Sequence, residues 1–553
     1  MDNNTLWFNN FYKIKSYQFL QRRPIAYFCA EFAFDDKLSI FAGGLGILAA
    51  DFIKEAASLN IPMVAIGIFY HQGYINKKVN NKEQITKVTP VKSKNGDRII
   101  IQIPIEDRLV NVQAWKIEIG SISVYLLDTN LKNNSLPDRE ITKNLYVADK
   151  KIRLQQAMIL GIGGQKLITK LEINPLIYHM NEGHAALLSL ELIHNEMEQR
   201  HIGFIEGKDL IKKRIIFTNH TLVIAGNDLF EENLVISELG KYVNEELQIP
   251  LNDIIALGKD QNNNLFSMTT FSFSMSAHIN AVSKLHAVNA YKIWPHNPMI
   301  SITNGININR WDKLYNSNQI WQSHQTNKRK LLSQVKERTG QTWAEDELLL
   351  GWARRMVEYK RPLVLLEDLN RLVSLAKKDH QIVHIIYAGE AHSSDIKGLE
   401  LIKLLQEKIN KHLQGTVVYV PNYNLHLAQM MAAGCDIWLN TPLVGYEACG
   451  TSTMKAALNG VLPVSTKDGW IDEADLNGIG WILDNENISN SFLDCLEQQI
   501  IPLYYQKDEN GVSKYWIENM QKARKLILDN YSAARMLREY IEKIYLSIVE
   551  ASS

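Results

Sequence analysis

The sequence predicts a parallel α/β protein made of two doubly wound domains, and three observations support this prediction. Short apolar runs rich in β-branched residues alternate with amphipathic helical segments, a pattern typical of parallel sheets covered by helices. The alternation stops in a polar helical stretch, 311–346, and restarts at Leu348, so we expect a domain boundary between Asn304 and Glu345. Polar and glycine-rich clusters directly follow several of the predicted strands, which is where open α/β sheets bind ligands.

Each predicted strand is a short apolar run that ends at polar residues or glycine. In chain order the predicted strands are 25–32, 63–70, 176–180, 215–218, 348–352, 383–388, 417–420, 437–439 and 461–464. Two further segments, 98–119 and 121–127, indicate an antiparallel excursion within the first half of the chain.

The tail 515–549 has apolar residues at helical spacing, so we expect a long helix that packs on the rest of the protein. The predicted domains are an N-terminal domain over 1–304 and a C-terminal domain over 305–525. The C-terminal helix, 526–553, is expected to pack back on the N-terminal domain.

The composition excludes several classes of protein. The 553 residues include 60 Lys or Arg and 60 Asp or Glu, whereas nucleic-acid and membrane-surface binders carry a basic excess. The four cysteines form no Cys-x-x-Cys pair and no cluster with histidine, which argues against a disulfide scaffold and gives no reason to expect a metal site. The first residues lack the apolar run of a signal peptide, and we expect a cytoplasmic protein.

The first candidate site is the segment 41–46, Phe-Ala-Gly-Gly-Leu-Gly, which lies between a predicted strand and a predicted amphipathic helix. Glycines at a helix N-terminus let backbone N–H groups approach an anion closely. A tight turn that needs positive φ is the alternative, and the spacing alone leaves both interpretations open.

The second candidate site is a run of basic residues between the strand that ends near Trp352 and a helix that Pro362 is expected to begin. The basic residues are Arg354, Arg355, Lys360 and Arg361. Their position at a strand-to-helix turn favours an oxyanion site over a solvated charge run.

The third candidate site is the segment 447–460, in which Lys455 lies among small apolar residues. Hydroxyl groups at 451–453 are expected to start a helix and Gly460 to end it. A partly buried lysine can form a Schiff base, but spacing alone favours a lysine that extends from a short helix to solvent.

The fourth candidate site joins two polar clusters at strand ends, 181–184 and 218–221. Here His184 is either a catalytic or sugar-binding residue or merely a helix-cap neighbour satisfied by the backbone. Asn304 precedes Gly305 in what could be a simple turn.

Taken in order from about Ala26 to Glu473, these segments resemble the α-glucan phosphorylases (glycogen, starch and maltodextrin phosphorylases), particularly their short prokaryotic-type branch. The resemblance is carried by AYFCAEF, GGLGILAADFIKEA, HMNEGHAAL, TNHT, ITNGI, RRMVEYKR, DIWLNTP and EACGTSTMKAALNGVLPVSTKDGW. It implies a GT-B fold, two Rossmann-like domains facing a central cleft. It also implies that phosphate cleaves α-1,4-glucan ends to α-glucose 1-phosphate with retention. Members of this family are often dimeric, so we expect a homodimer.

The resemblance further implies a pyridoxal 5′-phosphate (PLP) cofactor held by Lys455 as a Schiff base, with the cofactor's 5′-phosphate taking part in catalysis. The implied catalytic residues are Arg355, Lys360, His184 and Lys455; the implied cofactor contacts are Lys455, Arg354, Thr451 and Gly44; the implied substrate contacts are Gly43, Gly44, Asn304, Glu447, Gly450 and His184.

The sequence departs from that branch at four places. Thr453 replaces the usual glycine, Cys449 the usual serine and Glu390 a common lysine. The segment 443–446, Leu-Val-Gly-Tyr, stands where Arg-Arg-Pro is usual. These departures bear on acceptor preference and leave two alternatives: a nucleotide-sugar GT-B glycosyltransferase, or a catalytically weak glycan-binding homologue. A PLP aminotransferase ranks last, because it would leave the glucan-site residues unexplained.

Overall fold

The structure, a computed structural model, describes residues 3–38, 40–73, 87–222, 226–260, 263–378, 380–391, 395–509 and 511–552. The chain divides into two compact units. The first unit comprises Met1–Val282, His286–Ile302 and Ala534–Ser553, and the second comprises Ser283–Leu285 and Thr303–Ala533. No helix in these described ranges is both long enough and apolar enough to cross a membrane.

The first unit contains a mainly parallel sheet with helices between its strands. Its helices, two of which begin within the second unit's residues, are Asn3–Phe11, Lys15–Arg22, Gly44–Ser58, Leu136–Glu140, Lys150–Met158, Gly164–Lys170, Leu188–Arg200, Phe204–Lys212, Glu232–Tyr242, Leu251–Gly258, Met268–Met275, Lys284–Ile293, Ala533–Tyr540 and Leu546–Ser552. Its sheet runs, edge to edge, Ile300–Ser301, His278–Ala281, Ile215–Thr218, Ile177–Asn181, Ile25–Cys29, Met63–Ile68, Ile122–Asp128, Arg108–Ile119 and Thr89–Pro90, and Ile100–Ile105 pairs with Arg108–Ile119. A separate hairpin pairs Leu229–Phe230 with Phe266–Ser267.

The strand order of this sheet reverses beside its first strand, Ile25–Cys29. The chain first adds Met63–Ile68 on one side and later adds Ile177–Asn181 on the other side, both parallel to the first strand. All residues of Ile25–Cys29 are buried, as expected for a strand covered on both faces. Ligands of doubly wound sheets bind at such a switch point, beyond the carboxyl ends of the two flanking strands.

The second unit contains a parallel sheet in the order Val417–Val420, Val383–Ala388, Leu348–Ala353, Ile437–Asn440, Leu462–Ser465 and Trp481–Ile482. Its helices are Ile308–Trp311, Ile320–Thr339, Leu369–Ala376, Ile396–His412, Leu425–Gly434, Ser452–Leu458, Ile488–Cys495, Ile501–Tyr505 and Lys514–Asn530. Numbered along the chain, the strands have the order 3-2-1-4-5-6 of a doubly wound nucleotide-binding sheet. The switch point lies between Leu348–Ala353 and Ile437–Asn440, which are directly paired.

A buried group of charges, here named the amino-end cluster, lies at the amino ends of these two strands and consists of Asp436, Lys328 and His324. The Asp436 carboxylate accepts hydrogen bonds from Lys328 Nζ at 2.6 Å, His324 Nε2 at 2.9 Å and the Leu349 N–H at 2.8 Å. The three side chains of the cluster are fully buried. The cluster therefore attaches the helix Ile320–Thr339 to the sheet.

The tail from Ala534 belongs to the first unit. The hydroxyl of Tyr540 accepts a hydrogen bond from Asn280 Nδ2 at 2.9 Å, and the hydroxyl of Tyr545 lies 2.7 Å from Nδ1 of His179. These contacts join the tail to the sheet of the first unit.

The structure confirms the predicted parallel α/β architecture, the predicted strands and the antiparallel excursion. Two helix predictions are wrong. The tail is interrupted at 531–532, and the helix expected to begin at Pro362 begins at Leu369, where the Asp368 side chain accepts from the Arg371 N–H. A short 3₁₀ turn, Val364–Leu366, replaces the expected first turn, because the local cap at Asp368 determines where the helix starts.

Candidate active site

The switch point of the second unit brings together two of the segments that the sequence singled out. The loop 354–361 follows Leu348–Ala353, and the loop 441–451 follows Ile437–Asn440. The Leu443 N–H donates to the Tyr359 carbonyl oxygen at 2.7 Å. The two loops are therefore held side by side beyond the carboxyl ends of the central strands.

Arg361 also connects these loops, which corrects its inclusion in the proposed oxyanion site. Its guanidinium donates to the carbonyl oxygens of Thr441 at 3.0 Å and Pro442 at 2.5 Å and to Asn485 Oδ1 at 3.0 Å. With these donors engaged by the protein, Arg361 acts in loop packing and the other basic residues remain for a ligand.

A second group of charges, here named the carboxyl-end cluster, consists of Arg354, Lys360, Lys455 and Glu447. Lys360 Nζ lies 3.1 Å from Glu447 Oε2, and a nitrogen of Arg354 lies 3.9 Å from the same oxygen. Burial alone would raise the pKa of Glu447, but Lys360 and Arg354 together outweigh it and hold that pKa below its ordinary value. Glu447 is therefore an ionised acceptor that faces two cations.

Arg354 retains unused donors. One terminal nitrogen donates to Ser452 Oγ at 3.3 Å, and the Nε–H is buried with no acceptor among the described residues. The neighbouring Arg355 is exposed and has no hydrogen bond or ion pair within the described ranges. Two adjacent guanidinium groups can thus donate to a bound anion, one from the interior and one from the surface.

Lys455 is buried, with 5% of its surface exposed, which contradicts the interpretation of a lysine that extends to solvent. Its Nζ donates to Thr451 Oγ1 at 2.8 Å and lies 4.4 Å from the centre of the Trp311 ring. It lies on the helix Ser452–Leu458, which ends before Gly460 as expected, whereas the Thr451 side chain makes no capping bond to that helix. The amine is thus held beside an aromatic ring and a hydroxyl group.

Two predicted substrate contacts lie against this loop. Asn304 is buried and donates from Nδ2 to the Cys449 carbonyl oxygen at 3.3 Å. A Cβ on Gly450 would lie 3.1 Å from Glu447 Oε1, so glycine allows the carboxylate to rest against the backbone. The Glu447 N–H in turn donates to Asp468 at 3.0 Å, and burial raises the pKa of Asp468 to about 6.

The positions that depart from the family pattern surround the same switch point. Thr453 and Cys449 are buried beside the predicted cofactor and substrate residues, while Tyr446 is exposed. The backbone carbonyl of Glu390 accepts from the Met356 N–H at 3.2 Å, so its strand-end segment packs on the basic loop.

The switch point of the first unit holds the glycine-rich segment. The Glu31 carboxylate accepts from the N–H groups of Ala42 at 2.7 Å and Gly43 at 3.3 Å, and from the Tyr146 hydroxyl at 2.7 Å. The Gly44 N–H begins the helix Gly44–Ser58 and has no acceptor in the described part of the chain. A Cβ at Gly43 or Gly44 would meet no atom of the described chain within 4 Å, so both glycines border open space.

His184 follows the other strand of this switch point, on a short 3₁₀ turn. Its Nε2 lies 3.8 Å from Asp228 Oδ2, its Nδ1 is buried without a partner among the described residues, and Asp228 is also paired with Arg153. Burial lowers the pKa of His184, so the imidazole is neutral near pH 7. His184, Asp228 and Arg153 line a cavity of about 20 Å³, enough for one water molecule.

Two further residues of this switch point belong to the predicted polar clusters 181–184 and 218–221, but the sequence assigned them no role of their own. Glu182 is buried at φ 76° and ψ 164°, a region that is otherwise nearly exclusive to glycine, and its carboxylate accepts from the His220 N–H at 2.9 Å. Burial raises the pKa of Glu182 to about 7 and lowers that of His220 to about 3. His220 Nε2 lies 2.6 Å from Asn181 Oδ1. Their position directly after two neighbouring strands was the only indication available from the sequence.

Comparisons with known proteins agree with this geometry. The family model described as carbohydrate phosphorylase matches residues 316–475. The chain is 33% identical to the maltodextrin phosphorylase of Thermococcus litoralis, over 94% of this chain and 70% of that protein. It is 30% identical to the glycogen phosphorylase of Aquifex aeolicus, over 97% of this chain and 88% of that protein. It is also 30% identical to the glycogen phosphorylase of Mycobacterium tuberculosis, over 94% of this chain and 70% of that protein. The chain therefore belongs to the α-glucan phosphorylases, the carbohydrate phosphorylase family.

Proposed function

We propose that the chain is an α-glucan phosphorylase, a glycosyltransferase that uses inorganic phosphate to release α-glucose 1-phosphate from glycogen or maltodextrin ends with retention. One observation carries the proposal. The carboxyl-end cluster together with Arg355 gathers four basic side chains on the two loops, and they outnumber the neighbouring carboxylates of Glu447 and Asp468. Such an excess of positive charge at a switch point is suited to phosphate groups.

The residues present also fit a PLP cofactor. A buried amine at Lys455 is the group that binds the cofactor's aldehyde carbon. The buried guanidinium of Arg354, with its unpartnered Nε–H, suits the cofactor's 5′-phosphate, with Thr451 and the backbone of Gly44 as further proposed contacts. When bound, the cofactor would supply a second phosphate group beside the substrate phosphate.

Arg355 and Lys360 are the proposed ligands of the substrate phosphate. Arg355 offers a planar fork to two phosphate oxygens, and Lys360 offers a single ammonium. Lys360 lies 3.1 Å from Glu447, so the phosphate is expected to be held next to the carboxylate that receives the sugar. These donors stabilise negative charge without moving during the reaction.

The sugar is proposed to be held by Glu447, Asn304 and the backbone at Gly450. The ionised Glu447 accepts hydrogen bonds from glucosyl hydroxyl groups, and the Asn304 amide extends from a segment attached to Cys449. The bond between C1 and the bridging oxygen breaks, a C1–O bond to phosphate forms on the same face, and the phosphate proton passes to the departing oxygen.

Residues of the first unit are proposed to complete the site. The Gly44 N–H and the open space beside Gly43 suit an anion at a helix N-terminus. The neutral His184, with an unpartnered Nδ1, suits a sugar hydroxyl near the developing positive charge at C1.

The proposal includes a GT-B arrangement of the two units, with the tail from Ala534 as part of the N-terminal domain. It also includes a cytoplasmic location and a homodimer. These features are inferred from the resemblance to the family.

The test is release of glucose 1-phosphate from maltodextrin and phosphate by the PLP-loaded protein. The proposal expects release that depends on phosphate and that retains the α configuration when followed by NMR. Water-dependent glucose release, turnover of a nucleotide sugar, or maltodextrin binding without turnover would overturn it.

A further inference from the structure

The segment 443–446 forms a turn that directs an aromatic residue outward. The Tyr446 N–H donates to the Leu443 carbonyl oxygen at 3.1 Å, and Gly445 between them has φ 89°, as the third residue of a type II turn requires. The Leu443 N–H is attached to the Tyr359 carbonyl oxygen. The turn therefore has a fixed position relative to the basic loop.

Tyr446 is exposed, with 46% of its surface accessible, although it directly precedes Glu447, whose side chain is only 14% exposed. Its ring lies 6.4 Å from the Tyr359 ring at an interplanar angle of 28°. Lys360 Nζ lies 5.4 Å from the centre of the Tyr359 ring and 3.1 Å from Glu447. An exposed aromatic ring is thus supported by a second ring that belongs to the proposed phosphate and sugar site.

We propose that Tyr446 is a stacking platform for the glucan unit that follows the transferred glucosyl unit, and that it sets the preference for the acceptor chain. The apolar C–H face of a glucosyl ring packs on a flat aromatic face, and a ring fixed by a neighbour loses little entropy on binding. The inference rests on the proposed function, because Glu447 is taken to hold the transferred unit.

Tyr446 is more exposed than the other residues of its turn. The residues 443–445 are half-buried and the Leu443 N–H is bonded to the basic loop, so the exposed face of Tyr446 is available to a ligand. Tyr446 offers an apolar aromatic face, which suits an uncharged sugar.

The experiment compares Tyr446→Ala and Tyr446→Phe with Tyr515→Ala in the PLP-loaded full-length protein. Tyr515 is a matched control, since it is 56% exposed on a helix of the same unit and contacts no aromatic ring among the described residues. Two quantities are measured: the Kd for maltoheptaose by calorimetry, and the KM values for maltoheptaose and for glucose 1-phosphate in the synthetic direction. Melting temperatures verify folding.

Tyr446→Ala is expected to weaken maltoheptaose binding and raise its KM about tenfold, the equivalent of one lost aromatic contact. The KM for glucose 1-phosphate should remain unchanged, and Tyr446→Phe should recover most of the affinity because it keeps the ring. Equal Kd and KM values in Tyr446→Ala and Tyr515→Ala would overturn the inference, as would an equal rise in both KM values. If the wild type binds maltoheptaose through Tyr446 but has no turnover, the inference stands and the proposed function fails.

Discussion

The two charge clusters of the second unit occupy opposite ends of the same pair of strands and differ in how completely their donors are used. In the amino-end cluster, Lys328 donates to Asp436, the Tyr504 hydroxyl and the Glu347 carbonyl oxygen, which accounts for all three of its N–H groups. In the carboxyl-end cluster, Arg354 has a buried N–H without an acceptor in the described residues, and the only carboxylate among the four members is Glu447.

This difference separates a structural cluster from a binding site. Buried charges that serve the fold are matched in sign and hydrogen-bonded, because an unmatched buried charge is destabilising. A surplus of cations with unused donors is stable only when solvent or a ligand supplies the missing negative charge. The charges of the amino-end cluster are matched, although Nδ1 of His324 is buried without a partner among the described residues, whereas the carboxyl-end cluster holds more cations than carboxylates and is proposed to bind an anion.

The largest expected effect on stability is that of Lys328→Met in the amino-end cluster. The substitution leaves the buried Asp436 carboxylate without its ammonium partner, and the free energy of unfolding should fall by about 3–5 kcal/mol. Urea unfolding measures the change, and Lys330→Met, on the exposed face of the same helix, is the control. Equal unfolding curves for the two variants would show that the amino-end cluster is not structural.

Arg355→Ala is expected to have the opposite profile, a large loss of turnover with little loss of stability. Removing a donor to the substrate phosphate should lower kcat about 100- to 1,000-fold, while the exposed position leaves the melting temperature unchanged. Glucose 1-phosphate release and PLP content are measured beside Arg329→Ala, another exposed arginine. Loss of PLP from Arg355→Ala would contradict its assignment to the substrate phosphate.

Lys360→Gln tests how the two cations control Glu447. Since the pKa of Glu447 is lowered in the folded protein, its ionisation contributes stability above the ordinary value of 4.5 and loses it as the pH falls through the folded pKa. The wild type should therefore have a higher free energy of unfolding than the variant at neutral pH, and this difference should shrink below pH 4.5. Urea unfolding across pH measures this. When both proteins also carry Glu447→Gln, the effect of Lys360→Gln on the free energy of unfolding should no longer depend on pH. If that pH dependence remained, it would have to come from another titratable group.

Gly450→Ala has the smallest expected effect. The added Cβ would press on the Glu447 carboxylate, so the KM for maltodextrin should rise several-fold to about tenfold, with a cost in stability near 1 kcal/mol. The KM for phosphate should change less than the KM for maltodextrin. Gly203→Ala, where a Cβ meets no described atom, is the control, and an unchanged KM for maltodextrin in Gly450→Ala would remove Gly450 from the sugar site.

Much of this arrangement could be predicted from the sequence, because a residue that directly follows a predicted parallel strand must lie at the carboxyl edge of the sheet. Apolar runs identified the strands, and the polar residues directly after them had to lie at one edge of a parallel sheet. The burial of Lys455 was not predicted from spacing, which favoured a lysine that extends to solvent; the structure buries its side chain.

Other features depend on contacts between distant segments and have no local pattern. Arg361 resembles its basic neighbours in sequence, but carbonyl groups eighty or more residues away determine its role. The strained backbone of Glu182 depends on its bond to His220, and nothing in Asn-Glu-Gly-His indicates a positive φ. The stacking of Tyr446 on Tyr359 likewise becomes visible only when the two loops are brought together.

The most direct test of the central claim, that the carboxyl-end cluster holds a cofactor phosphate beside a substrate phosphate, is mass spectrometry of the borohydride-reduced, digested protein. The account predicts a phosphopyridoxyl group on Lys455 and none on Lys328, which is equally buried but fully hydrogen-bonded. An unmodified Lys455 in protein purified with PLP present would contradict the account, and a nucleotide-sugar transferase or an inactive glycan binder would then be favoured.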